Sequence, residues 1–117
     1  MQIQRTSGLW YSAEYSTFSI TDEIGKYQMA VTGYSGDAGD ALAGTDSSDF
    51  RANGRKFTTT DSDNDAWAAG NCAGSNGWWY GWCSTSVINE ENNNYGYWVT
   101  TGWVNDVQAS RMLIKLN

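Results

Sequence analysis

The sequence predicts an α+β domain, mostly an antiparallel β-sheet with long loops and short helical turns. Three observations carry that class. Lys26 to Gly33 alternates, with Tyr27, Met29 and Val31 on one face and Gln28, Ala30 and Thr32 on the other, which is the period of a half-buried strand. No segment sustains an apolar period of 3.6 residues. Gly, Asn, Asp and Ser cluster between the candidate strands, and these residues favour turns because they tolerate left-handed backbone or bond to it locally.

Taken in order, Leu9 to Ile20 is rich in Trp, Tyr, Ser and Thr and reads as strand. Asp22-Glu23 and Gly25 mark a turn, and Lys26 to Gly33 is the next strand. Ser35 to Gly44 is a Gly- and Asp-rich loop with a short helical turn at Asp40 to Leu42. Asp46 to Asp49 is polar loop, and Asn53-Gly54 signals a turn. Arg55 to Thr60 reads as a short strand. Ile88 to Asn94 is loop, Tyr97 to Thr100 strand, and Gln108 to Leu116 a closing strand with Met112, Ile114 and Leu116 on one face. No repeat or linker divides the chain, so residues 1–117 are expected to form a single domain.

Composition excludes several functions. The formal net charge of −6 argues against nucleic acid or an anionic membrane surface, which need clustered Lys and Arg. No apolar run approaches the roughly 20 residues of a membrane span. The N-terminus, Met1 to Arg5, has no apolar signal region. With no histidine, a Ser-His-Asp triad cannot be built. Glu90-Glu91 are adjacent, so on a strand they would face opposite ways and in a loop they would be solvated. A non-enzymatic protein is expected. Seven Trp and seven Tyr in 117 residues, many in Gly-rich stretches, suggest an amphipathic ligand surface as well as core.

The chemistry concentrates between Thr60 and Ser84. Asp61, Asp63 and Asp65 alternate just before the two cysteines. A hard cation such as Ca²⁺ would relieve their repulsion. An EF-hand is excluded, because its sixth and twelfth positions, counted from Asp61, hold Ala66 and Cys72 instead of Gly and Glu. Spacing alone leaves two readings, a calcium loop or a solvated acidic loop. Cys72 and Cys83 are expected to form a disulfide, closing a short loop and stabilising it by roughly 2–3 kcal/mol. Zinc would need more ligands than two cysteines supply, and a catalytic thiol would need a base. A disulfide implies an oxidising compartment, hence a secreted, extracellular protein.

Asp-x-Asp-Asn-Asp, then Gly70-Asn71-Cys72-Ala73, Gly77-Trp78-Trp79-Tyr80 and Cys83, resemble the C-terminal part of a fibrinogen-related domain. That family includes ficolins, tachylectin-type lectins, angiopoietins and the fibrinogen chain ends. Upstream, Phe18 to Asp22, Lys26-Tyr27 and Gly33 to Leu42 resemble successive family motifs, as does Asn53-Gly54-Arg55-Lys56-Phe57-Thr58-Thr59. Gly102-Trp103 through Arg111 to Lys115 resembles the closing strand. The resemblance implies a fibrinogen C-terminal-like fold, with the family's N-terminal portion and its own disulfide lying outside this sequence.

The resemblance also implies sites. Calcium would be held by the carboxylates of Asp63 and Asp65, the carbonyl of Trp67, and that of Gly70 or Ala69. The choice arises because one residue is extra within Ala68-Ala69. An acetylated-sugar pocket would involve Tyr80, Trp82, Cys83, Ser84 in place of the family histidine, and Tyr95-Gly96. Tyr80→Ala would then abolish sugar binding and leave the fold intact. At least one of Trp78 and Trp79 is expected in the core. Two functions follow. One is a calcium-supported lectin for N-acetylated glycans such as N-acetylhexosamines or sialic acid, of agglutinin or innate-immune type, binding glycoproteins as a homo-oligomer. The other is an extracellular protein- or peptide-binding module.

Overall fold

The computed structural model describes residues 1–44, 48–74, 76–84, 86–89, 96–98 and 103–116. Its strands are β1 (Gln2–Arg5), β2 (Trp10–Ile20), β3 (Met29–Gly36), β4 (Ser86–Val87), β5 (Gly96–Trp98) and β6 (Trp103–Arg111). They form one six-stranded sheet in the order β3-β2-β1-β6-β5-β4, each neighbouring pair antiparallel. The antiparallel sheet of the expected class is present. Its helical part is reduced, among the described residues, to one turn, in which Gly44 N–H donates to Asp40 O. Asp40 caps that turn itself, its Oδ1 accepting Ala43 N–H at 3.0 Å.

Local chemistry explains the hairpins. Between β1 and β2, Arg5 N–H donates to Leu9 O, and Gly8 takes φ +90°, open to glycine without steric cost. Between β2 and β3, Asp22 Oδ1 accepts Gly25 N–H at 2.9 Å, and Thr21 N–H closes on Gln28 O. That turn corrects one expectation. Lys26 and Tyr27 have φ +58° and +53°, so β3 starts only at Met29 and Tyr27 stays outside it, half exposed. Met29 and Val31 bury as the alternation requires.

Two other strands end differently from the pattern. Arg55 to Thr60 makes only isolated bridges, Thr58 with Trp78 and Thr59 with Ser62. The backbone reverses at Thr59 before a strand can extend. The closing strand stops at Arg111, because its partner β1 offers Gln2 as the last ladder residue opposite it. Met112, Ile114 and Leu116 are therefore not a buried face; they stand 41%, 61% and 89% exposed. The short strands β1 and β4 carry no strong periodic signal in sequence. The Asp46–Asp49, Ile88–Asn94 and Tyr97–Thr100 assignments fall partly outside the described residues.

The excursion between β3 and β4 packs onto this sheet. One cluster of buried side chains joins Ile3, Ala13, Met29 and Val31 of the sheet to Ala38, Leu42, Ala52, Trp78 and Tyr80 of the excursion. Each large apolar side chain buried this way contributes about 1.5–3 kcal/mol. Trp98 is fully buried, its indole N–H donating to Gly39 O at 2.9 Å.

Candidate functional site

The excursion's second half is tied down by polar contacts rather than by strands. Thr58 and Trp78 exchange backbone bonds of 2.9 and 3.1 Å. Asn64 bonds back across the turn to the segment that enters it, its N–H to Thr58 Oγ1 and its side-chain amide to Phe57 O. Asn71 reaches back to Thr59 O and caps Ala73 N–H. Asn and Asp do this readily because their short polar side groups substitute for backbone partners.

Asp65 is the hub of the acidic loop. Its Oδ1 accepts Trp67 N–H and its Oδ2 accepts Cys72 N–H, both at 2.7 Å. One carboxylate thus fixes the loop and the first cysteine together. Asp63 Oδ1 accepts Asp65 N–H at 3.3 Å, a weak contact on an exposed side chain. Asp61 turns away, accepting the Thr59 hydroxyl at 2.7 Å, and that bond holds its carboxyl below the usual range. Among the described residues no three acidic, cysteine or histidine side chains converge as a metal site. A cation here would therefore need backbone carbonyls beside Asp63 and Asp65. The residues fit such an ion on donor type. Every candidate ligand is an oxygen, and no residue from 57 to 110 is Lys or Arg to neutralise the acids.

Cys72 and Cys83 form a disulfide with Cα atoms 5.2 Å apart, the pairing expected from sequence. Cys83 takes φ +49°, a conformation that costs a non-glycine residue and is held here by several contacts. Its N–H meets Cys72 Sγ at 3.0 Å, and its carbonyl accepts Gly81 N–H at 2.8 Å. Trp82 N–H donates to Asp49 O at 2.7 Å, and Gly81 O accepts Ala66 N–H, so the acidic loop, the disulfide loop and the 48–50 segment lock together. Gly81 is required at this junction, since a Cβ there would sit inside the Asp49 carbonyl.

These locks open a shallow apolar cleft of about 350 Å³ lined by Phe50, Trp67, Trp82 and Cys83. Phe50 and Trp82 stack with centroids 5.9 Å apart, and Trp82 is 52% exposed. The structure thus brings together Trp82 and Cys83 from the expected sugar set and Trp67 from the expected calcium set. Phe50 was not legible in sequence; only the fold carries it from a distant loop.

Of the other expected sugar residues, Tyr80, Ser84 and Gly96 do not line this cleft. Tyr80 is 3% exposed, its hydroxyl donating to Asn76 Oδ1 at 2.8 Å. It packs in the core, so Tyr80→Ala would not leave the fold intact; truncating a buried aromatic costs about 3–5 kcal/mol. Ser84 spends its hydroxyl locally, donating to Ser86 O and accepting Ser86 N–H. Gly96 pairs with Val107 in the sheet, and Tyr95 lies outside the described residues. Trp78 is the core tryptophan, at 4% exposure, while Trp79 is half-buried and donates its indole N–H to Tyr27 O.

The class defined by the fold and site is a small antiparallel sheet carrying a disulfide-closed loop and an aromatic cleft. The family model for the C-terminal globular domain of fibrinogen beta and gamma chains matches residues 1–111, and the protein belongs to that family. It is 34% identical over 108 residues to fibrinogen-like protein A of Apostichopus parvimensis, covering 84% of this sequence and 36% of that protein. It is 39% identical over 79 residues to a techylectin-like protein of Phoneutria nigriventer, covering 66% of this sequence and 32% of that one. The match thus spans about a third of the length of these relatives. Among solved structures it is similar to the fibrinogen-like globe domain of human ANGPTL2, at TM-score 0.71 and 30% identity, covering 91% of this sequence and 53% of that one. It is also similar to lamprey fibrin D-dimer complexed with the peptide Gly-His-Arg-Pro-amide, at TM-score 0.70 and 28% identity, covering 80% of this sequence and 32% of that one. None of these matches points to a catalytic family. Among the described residues no helix is long and apolar enough to cross a membrane.

Proposed function

We propose that this protein is an extracellular, calcium-supported lectin module for N-acetylated glycans, and that its sugar contacts the Phe50–Trp67–Trp82–Cys83 cleft. The observation that supports this most is the coupling of that cleft to the acidic loop through Asp65, which bonds both Trp67 and Cys72. An acetyl methyl suits an aromatic wall, and a preorganised wall lowers the entropic cost of binding. Asp63 and Asp65, with the Trp67 carbonyl and that of Gly70 or Ala69, would hold Ca²⁺. The ion would supply charge neutralisation and loop rigidity. Its absence would loosen the cleft through Trp67.

Titration calorimetry with N-acetylglucosamine and N-acetylneuraminic acid tests this reading, with glucose as the unacetylated control. Binding is expected in calcium, weakened by chelator and abolished by Trp82→Ala. Equal binding of glucose, or an unaffected Trp82→Ala, would reject it. The alternative, a peptide-binding module, is favoured by one observation. The loop on one side of the cleft carries Asp61, Asp63 and Asp65 and no Lys or Arg from residue 57 to 84, while Arg51 and Arg55 lie in the segment that supplies Phe50; the acidic side suits a basic peptide such as the one in the lamprey fibrin complex. Peptide binding that free N-acetyl sugar does not compete would select this second reading.

A further inference from the structure

Asn-Gly occurs twice in the sequence, at Asn53-Gly54 and Asn76-Gly77. Such a pair is chemically self-reactive. The glycine N attacks the asparagine Cγ, a Cγ–N bond forms, the Cγ–Nδ2 bond breaks, and the side-chain nitrogen leaves as ammonia. Water then opens the cyclic imide at either carbonyl. The product is aspartate or, with the backbone rerouted through the side chain, isoaspartate. Glycine permits the closure because it puts no Cβ beside the attacking nitrogen. Water is the only co-reactant.

The fold treats the two pairs differently. Both asparagine carbonyls accept a donor, Asn53 Oδ1 from Val31 N–H at 2.9 Å and Asn76 Oδ1 from the Tyr80 hydroxyl at 2.8 Å. A donor there stabilises the charge that builds on that oxygen during attack. The nucleophiles separate the two. Gly54 N–H donates to Met29 O at 2.8 Å, and Asn53 N–H donates to Leu42 O at 2.9 Å, so the attacking nitrogen is tied to the edge of β3. Gly77 N–H makes no hydrogen bond among the described residues. Packing also keeps a glycine at position 77, since a Cβ there would lie 2.8 Å from two ring atoms of Phe57.

We propose that Asn76 is a self-modifying site, converting spontaneously to aspartate and isoaspartate in the folded protein while Asn53 is protected. The product matters because of where it sits. Asn76 is 8% exposed and lies between the two cysteines, inside the disulfide-closed loop. Conversion replaces a neutral amide by a carboxylate against the hydroxyl of Tyr80, a core residue. Burying that charge costs stability. Isoaspartate also adds a carbon atom to the main chain of the loop. The segment that carries Trp78, Trp79 and Trp82 is thus marked and loosened as the protein ages.

Prolonged incubation of the folded protein at mildly alkaline pH tests this. Chymotryptic mapping by mass spectrometry follows amide loss at each site, and enzymatic methylation counts the isoaspartate. Asn76 is expected to lose its amide about fivefold faster than Asn53, the factor that one backbone bond on the nucleophile supplies. In denaturant the two rates should converge, because the folded contacts are gone. Asn76→Gln, which cannot close the same ring, should remove most of the isoaspartate formed in the folded protein. Asn76→Asp should melt below the parent. Equal loss at the two sites of the folded protein, faster loss at Asn53, or loss at Asn76 in denaturant alone overturns the proposal. An Asn76→Asp protein that melts with the parent overturns the loosening of the loop.

Discussion

Gly81 sits at the junction where the acidic loop, the disulfide loop and the 48–50 segment meet, and Gly81→Ala perturbs that junction directly. Its φ is not in the left-handed region, so the effect is steric, not conformational. The new methyl would overlap the Asp49 carbonyl and lie 2.9 Å from Arg55 Nε. The first of these is backbone, so the 48–50 segment must move away from Trp82. Overpacking of this kind costs about 1–3 kcal/mol. The move also breaks the 2.7 Å bond from Trp82 N–H to Asp49 O, worth about 0.5–1.5 kcal/mol net. The sum is a loss of roughly 1.5–4.5 kcal/mol, or about 6–22 °C in melting temperature for a domain of this size. Calorimetry measures the shift. Tryptophan fluorescence reads the cleft independently, because Phe50 must leave its stack on Trp82. A Gly81→Ala protein that melts within about 2 °C of the parent with an unchanged emission spectrum would show that the close approach is absent in solution.

Other outcomes follow from the same geometry. Replacing both cysteines by serine should cost about 3 kcal/mol, the loop-closure entropy of an 11-residue separation, seen as a lower denaturant midpoint. Tyr80→Phe should cost about 1 kcal/mol by deleting the bond to Asn76 while leaving sugar affinity unchanged; a lost affinity would put Tyr80 back in the binding site. The Asp61 carboxyl is held below its ordinary value of 3.8 by the Thr59 hydroxyl. The folded state therefore holds its proton less well than the unfolded protein. Stability from this group is present above pH 3.8 and is lost as pH falls through the lower folded value. Thr59→Val should flatten that acid limb in a pH series of melting curves, and an unchanged slope would count against the contact.

Much of this was legible in the residues. The β2–β3 pair, the Asn53-Gly54 turn and the disulfide follow from alternation, turn chemistry and cysteine spacing. What sequence could not show depends on partners distant along the backbone. Tyr27 looked like a strand residue because its neighbours alternate; the Asp22 turn pulled it out of the ladder. Met112, Ile114 and Leu116 alternate as a buried face would, yet burial needs a partner strand, and β1 ends opposite Arg111. Tyr80 sits in an aromatic run that suits a pocket equally well, and only the packing beneath it separates core from surface. Phe50 offered no local signal, since its role comes from stacking on a residue 32 positions away.

Calcium binding can be separated from loop architecture only by treating the two aspartates differently. Asp65 already bonds two backbone N–H groups without any ion. Asp65→Asn leaves one carboxamide oxygen where two acceptors are needed, so it should lower the melting temperature in calcium and in chelator alike. Asp63 has one contact at 3.3 Å and an exposed side chain. Asp63→Asn should therefore be nearly silent in chelator. In calcium at about 100 times the dissociation constant, the parent should gain about 2.7 kcal/mol, and Asp63→Asn should lose most of that gain. The diagnostic quantity is the difference between the two buffers for each variant, not the melting temperature itself. An Asp63→Asn protein that keeps the parent's full calcium response would remove Asp63 from the ion's ligands. A parent with no response would leave the acidic loop as a hydrogen-bonded turn organised by Asp65 alone.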